Sequence, residues 1–385
     1  MNTDTIRLLY GERDGAVEKQ LARYEKLAAW HKELYGEKEG LRFVSAPGRT
    51  EIAGNHTDHN NGRVLAASVT LDTIAAVTPN KENIVRMHSE GFDAEFKVDL
   101  NELEPVSSEY ETTTALIRGV AAALKKNGYA IGGMDMAVTS TVFKGSGLSS
   151  SAAVEVMLCC AFDALYNGWV IQAEKRAVMS KYAENVYFGK PSGLLDQMAS
   201  SVGGLVTMDF ETADAKVEAL SYDFAAKGYA LCVVCAGGEH GNLTAEYAAI
   251  PAEMKAVARE MGADVLREIP ADVFEKAIPR LKNKVPDRAI LRALHFYDED
   301  ARVPVLVEAL KKDDLETFFK GIIASGESSW KLLQNLYVPG SANQEMALAL
   351  ELSRRMLTGR GAWRIHGGGF AGTILAFVPF EMLDG

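Results

Sequence analysis

The chain of 385 residues has little cysteine, no surplus of positive charge and no long apolar run, and each shortage removes a class of protein. Its four cysteines, Cys159, Cys160, Cys232 and Cys235, stand in apolar stretches, which suits small buried side chains in a reducing compartment better than a disulfide framework. Cys232 and Cys235 form a C-x-x-C, but their surroundings read as a strand, where residues at that spacing face opposite ways, so no redox or metal pair is expected. Lys and Arg total 41 against 52 Asp and Glu, and the net charge of −11 argues against a nucleic-acid or anionic-membrane partner. No window approaches 18 uninterrupted apolar residues, and Met1–Tyr24 carries charge throughout, so neither export nor anchoring is expected and the chain reads as cytoplasmic. Hydrophobic residues make up 48%, ample for packed cores.

The common nucleotide-binding signatures are also missing. The only Gly-Lys pair, Gly189-Lys190, is followed by proline and preceded at the required spacing by Glu184, so there is no GxxxxGK[ST]. The strand-lysine, HRD and DFG set of protein kinases is absent, and a dinucleotide fingerprint begun at Gly145 would need glycine where Ser150 stands.

What is present alternates between helical and strand texture. Asp14–Tyr35 has helical spacing, Leu41–Val77 reads as strands and turns, Leu116–Lys126 as a helix, and Met134–Ser140 as a strand leading into a glycine- and serine-rich loop. Helical spacing resumes from Val154 to Leu165 and from Gln172 to Phe188, and strands follow near Gly204–Asp209 and Tyr229–Ala236. From Ala252 to about Leu357 the pattern is mainly helical, broken at Pro270, Pro286 and Val338-Pro339-Gly340, before strand texture returns. A composition change sets a domain boundary near 215, giving domains 1–215 and 216–385, with the last strand free to return to the first domain.

Four constellations carry chemistry. Gly145, Ser146, Gly147, Leu148, Ser149, Ser150 and Ser151 join a strand to a helix, and glycine-exposed amides at a helix N-terminus form an anion site suited to phosphate, although a serine-capped turn is the plain alternative. Gly48–Asn60 packs Arg49, Glu51, Asn55, His56, Thr57, Asp58 and His59 into strand and turn, dense in groups that hydrogen-bond hydroxyls, as a sugar requires. The same segment also reads as ordinary Asn and Asp turns, and its spacing matches no zinc pattern. Glu184 and Asp196 are the third element: if both face the serine loop, one holds Mg²⁺ and the other meets a nucleophile's proton. The fourth, His366–Gly372, demands glycine torsions or close backbone approach.

In this order the four elements resemble the GHMP kinase superfamily and, within it, the galactokinase family, over nearly the whole chain. The resemblance implies an α+β, two-domain GHMP kinase fold with the active site in the inter-domain cleft. It implies an ATP- and Mg²⁺-dependent enzyme that phosphorylates the C1 hydroxyl of galactose. Ser151 and Glu184 would hold the metal, Gly145 to Ser151 the ATP phosphates, and Asp196 the attacking hydroxyl, with Arg49 beside it. Asn55, His56, Thr57, Asp58 and Tyr247 match sugar-contacting positions. The chain departs from the family where Asn55 replaces the usual glutamate and where Ala248-Ala249-Ile250-Pro251 replaces a basic pair. Loss of a negative charge at a position associated with C6 makes galacturonate an alternative substrate. A non-catalytic sugar sensor and kinases of mevalonate or homoserine are the remaining alternatives.

Overall fold

The computed structural model describes residues 2–143, 147–212, 214–237, 243–370 and 372–383. In chain order its helices and strands are α1 (Thr3–Tyr10), α2 (Ala16–Tyr35), β1 (Arg42–Ala53), β2 (Arg63–Pro79), β3 (Ile84–Ser89), β4 (Phe96–Asp99), α3 (Thr113–Lys126), β5 (Met134–Ser140), α4 (Ser150–Phe162), α5 (Ala173–Tyr182) and α6 (Leu195–Val202). They continue as β6 (Leu205–Asp209), β7 (Lys216–Leu220), β8 (Tyr229–Gly237), α7 (Thr244–Glu260), α8 (Ala271–Leu281), α9 (Asp287–Lys311), α10 (Leu315–Ser328), α11 (Glu345–Leu357), β9 (Ala362–Ile365) and β10 (Gly372–Pro379).

The chain does not divide at 215/216. One unit comprises Met1–Arg49, Ser68–Lys144 and Leu148–Gly203, and the other chiefly Thr50–Ala67 and Gly204–Gly385. The physical reason is strand pairing: β7 pairs with β6 from Lys216↔Asp209 to Leu220↔Leu205, so a cut at 215 would open a hairpin. The last strand stays in the second unit, where β10 lies between β8 and β9.

In the first unit β4 is antiparallel to β3, β3 parallel to β5, and β5 antiparallel to Thr73–Pro79 of β2. Successive strand residues face opposite ways, and the two faces serve different cores. Ala75, Val77, Met136 and Val138 pack with Val120, Met157 and Phe162 from α3 and α4, whereas Ile74, Ala76 and Ala137 pack with Ile6, Tyr24 and Leu27 from α1 and α2. Helix α4 is buried almost all round, which places a single carboxylate, Glu155, wholly inside the protein.

The second unit pairs Arg63–Ala67 of β2 with β6 and carries a separate antiparallel sheet, β8-β10-β9. Its helical half follows the predicted breaks, since Pro270 and Pro286 stand immediately before α8 and α9, where the missing N–H costs nothing. Pro251 does not mark a start: α7 begins at Thr244 and runs through it, because the fixed φ of proline suits a helix and one hydrogen bond is forgone. Cys232 and Cys235 lie on β8, and no cluster of metal-ligating side chains occurs among the described residues. No described helix is long and apolar enough to cross a membrane.

Candidate active site

In the first unit the predicted Arg49, Ser149, Ser151, Glu184 and Asp196 come together. Arg49 lies within β1, and its backbone N–H donates to the Leu148 carbonyl at 3.0 Å, so the serine loop is fastened to the strand. Ser149 precedes α4 with φ +62°, a left-handed conformation that costs a non-glycine residue about 1–2 kcal/mol. Its hydroxyl makes no cap bond to α4 and donates instead to Asp196 Oδ2 at 2.5 Å. Ser149 therefore does not cap the N-terminus of α4, where a helix presents amides suited to an anion. Lys144, Gly145 and Ser146 lie outside the described residues, so of the predicted phosphate loop only Gly147 to Ser151 is placed.

Asp196 stands in the first turn of α6, held toward β1 by the Ser200 hydroxyl, which donates to the Pro47 carbonyl at 2.7 Å. Arg49 Nε lies 2.6 Å from Asp196 Oδ1. Burial alone would raise the carboxyl, but the Arg49 guanidinium, the Ser149 hydroxyl and the Lys190 ammonium outweigh it and hold Asp196 below the usual aspartate range. It is therefore ionised at neutral pH.

Glu184 sits where the regular turns of α5 give way to the wider π-helical segment Ala183–Phe188. Gly119 of α3 lets that segment approach: a Cβ there would fall 2.8 Å from that of Ala183. The Glu184 carboxylate is 1% exposed and accepts from Ser151 Oγ at 2.8 Å and Lys190 Nζ at 2.9 Å on Oε1, and from Ser192 Oγ at 2.5 Å and Gln197 Nε2 at 2.7 Å on Oε2. Gln197 also donates to Glu155 at 3.0 Å. Burial and the neighbouring Glu184 charge push the Glu155 carboxyl well above the usual range. Lys190, Ser192 and Glu155 were not singled out by sequence. The first two stood in a segment legible only as a turn, and Glu155 in an apolar helix.

The second unit gathers Asn55, His56, Thr57 and Tyr247 around the turn at Gly367–Gly369. The Asn55 amide is fully engaged: Nδ2 donates to Glu51 Oε1 and to the Gly367 carbonyl, each at 2.8 Å, and Oδ1 accepts from Asn335 at 3.0 Å and Ser329 at 3.3 Å. It is wholly buried. Glu51 in turn pairs with buried Arg364 at 3.1 Å, and His295 Nε2 donates to the Asn55 carbonyl at 2.9 Å. Gly369, at φ +87°, lies so close to the Asn335 carbonyl that any side chain would collide with it.

His56 Nε2 donates to the Gly368 carbonyl at 3.0 Å, and burial, aided by the neighbouring His59, lowers its pKa to about 3, so it is neutral. Tyr247 Oη donates to the Gly369 carbonyl at 2.8 Å. The Thr57 hydroxyl is taken up by the carbonyls of Gly54 and Arg63 at 2.9 and 2.6 Å, so in this turn it serves the backbone. The Asp58 carboxylate is half-buried, 3.8 Å from His59. Sequence reasoning did not single out Arg364, Asn335 or the buried Glu299, whose carboxylate accepts from the Gly54 N–H at 3.0 Å, because they lie far along the chain from the turn they support.

Comparisons with known proteins agree in direction. The galactokinase galactose-binding signature matches residues 29–79, and the N-terminal domain of GHMP kinases matches residues 115–204. A galactokinase of Streptomyces coelicolor is 33% identical over 361 residues, covering 92% of this chain and 88% of that one. Among solved structures, a Lactococcus lactis galactokinase complexed with galactose superposes with a TM-score of 0.81 at 23% identity, over 94% of this chain and 92% of that one. A Methanococcus jannaschii mevalonate kinase gives a TM-score of 0.62 at 15% identity, over 90% and 93%.

Proposed function

The chain belongs to the galactokinase family, and from that premise we propose that it transfers the γ-phosphoryl group of ATP to the C1 hydroxyl of galactose. The observation that carries the catalytic reading is the environment of Asp196: one oxygen is fixed by Arg49 and the other meets a hydroxyl, that of Ser149. When sugar is bound, its C1 hydroxyl takes the place of Ser149 on Oδ2. The carboxylate orients that hydroxyl and accepts its proton as the oxygen attacks the γ-phosphorus and ADP departs. Arg49 keeps Asp196 ionised and offers N–H groups to charge developing on the phosphoryl oxygens.

The helix N-terminus of α4, not capped by Ser149, supports phosphate binding by the loop Gly145–Ser151. Ser151 Oγ and Glu184 Oε1 lie 2.8 Å apart, a hydroxyl and a carboxylate of the hard-oxygen type that Mg²⁺ prefers, so the residues fit that ion. Bound there, Mg²⁺ would neutralise charge on the ATP phosphates. Gln197, itself held by Glu155, fixes the far oxygen of Glu184 so that Oε1 stays toward the loop.

Asp58, His56 and Tyr247 are the side chains we assign to the sugar. The galacturonate alternative loses its motive, because the Asn55 amide is already shared among four protein groups and has none left for a C6 substituent. Use of ATP as co-substrate supports reading the enzyme as cytoplasmic. Asp196→Asn tests the mechanism: it keeps shape, removes the charge, and should lower kcat by about a hundred- to ten-thousandfold in a chain that still folds, with only the stability of the Arg49 ion pair lost. A kcat near that of the native chain would remove Asp196 from the reaction.

A further inference from the structure

Lys190 has no place in the phosphoryl-transfer roles above, yet it is seated on them. It follows Gly189, whose φ of +84° turns the chain out of the π-helical segment, and its Nζ reaches Glu184 Oε1, the oxygen that also accepts from Ser151. Each carboxylate oxygen offers two lone pairs. On Glu184 all are used, Oε1 by Ser151 and Lys190 and Oε2 by Ser192 and Gln197. A cation arriving at Oε1 must therefore displace a partner.

The partners differ in what holds them. Gln197 is wholly buried and bound on its other side to Glu155, and Ser192 is also bonded to Asn185 at 3.0 Å. Ser151 can keep its place by turning a lone pair toward the metal. The Lys190 side chain is 54% exposed on a long flexible stem, against 1% for Glu184, so it leaves at least cost. Its ammonium also lies within electrostatic reach of Asp196.

We propose that Lys190 is an exchangeable counter-cation: it neutralises Glu184 while no metal is present, yields Oε1 to an arriving divalent cation, and turns its ammonium onto the nucleotide phosphates. This rests on the assignment of Ser151 and Glu184 to the metal. It makes Lys190 both a competitor of the metal in the free enzyme and a ligand of the nucleotide in the loaded one. A purely structural lysine would be neither.

The test uses the full chain and needs no turnover. Mn²⁺ alone is titrated into the native protein and into Lys190→Met, following free Mn²⁺ by electron paramagnetic resonance, and ATP without metal is titrated by calorimetry. Removing the competitor should tighten Mn²⁺ binding about fivefold, the scale of a half-exposed ion pair, and weaken ATP by a similar factor. Lys190→Arg should keep native ATP affinity. Mn²⁺ affinity that is unchanged or weaker in Lys190→Met overturns the exchange. Glu184→Gln separates the two layers: if it abolishes Mn²⁺ binding while Lys190→Met leaves it unchanged, the exchange alone fails. If Glu184→Gln binds Mn²⁺ as the native chain does, the metal assignment and the exchange fail together.

Discussion

Around Asp196 and Glu184 several partners are serine hydroxyls and a half-exposed ammonium, whereas around Asn55 they are backbone carbonyls and buried side chains. The bonds are of similar length in the two places, so length does not distinguish them. What differs is whether a partner can leave. A hydroxyl or a solvated lysine exchanges for a ligand with little reorganisation, but the Asn55 cluster cannot release one member without stranding another, since each buried group that loses its partner costs about 1–3 kcal/mol. The first region is arranged to change hands and the second to hold the glycine turn in shape.

The strongest way to break that distinction is Asn55→Glu. A carboxylate there would sit wholly buried beside Glu51, whose Arg364 partner is already engaged, and would lose the donation to the Gly367 carbonyl. The expected result is a loss of about 3–5 kcal/mol in urea unfolding, the scale of an uncompensated buried charge. A variant that folds at native stability and changes its preference between galactose and galacturonate would show instead that this residue reads the sugar.

How far the sequence reaches divides along the same line. Arg49, Ser151, Glu184 and Asp196 were legible as chemistry-bearing groups in recognisable motifs, but their convergence was not, since Arg49 and Asp196 meet across 147 residues of chain. The Asn55 region was legible as polar but not in its purpose. Its partners, Ser329, Asn335 and the turn at Gly367, arrive from a π-helical segment, irregular chain and a turn hundreds of residues later, and no local spacing announces them. The division of the chain was hidden for a related reason. The β2 strand pairs with β5 through Thr73–Pro79 and with β6 through Arg63–Ala67, so one continuous apolar stretch serves both units.

Arg49→Gln sharpens the electrostatic side. Burial opposes ionisation of Asp196, and Arg49 is the largest influence working against burial. With Arg49 gone, the carboxyl should titrate at higher pH, and the acid limb of kcat/KM should move upward from its native place below the usual aspartate range. The sign extends to stability. In the native chain a depressed Asp196 contributes stability above the unfolded aspartate value, lost as pH falls through the folded one, and that contribution should shrink in Arg49→Gln. An acid limb that stays in place would mean that Arg49 does not control Asp196.

The smallest effect is expected for Ser149→Gly, which touches the same carboxylate through a weaker partner. Glycine accepts φ +62° without strain, which recovers about 1–2 kcal/mol, while loss of the hydroxyl removes a charge-assisted bond worth about 1.5–3 kcal/mol, so unfolding stability should change little. Ser149 is one of the groups lowering the Asp196 pKa but ranks after Arg49, so the acid limb should move in the same direction and by less. Because the sugar hydroxyl is to replace Ser149 on Oδ2, removing the incumbent should lower KM for galactose while kcat stays close to native. An increase in KM would mean that Ser149 assists the sugar and does not merely hold its place.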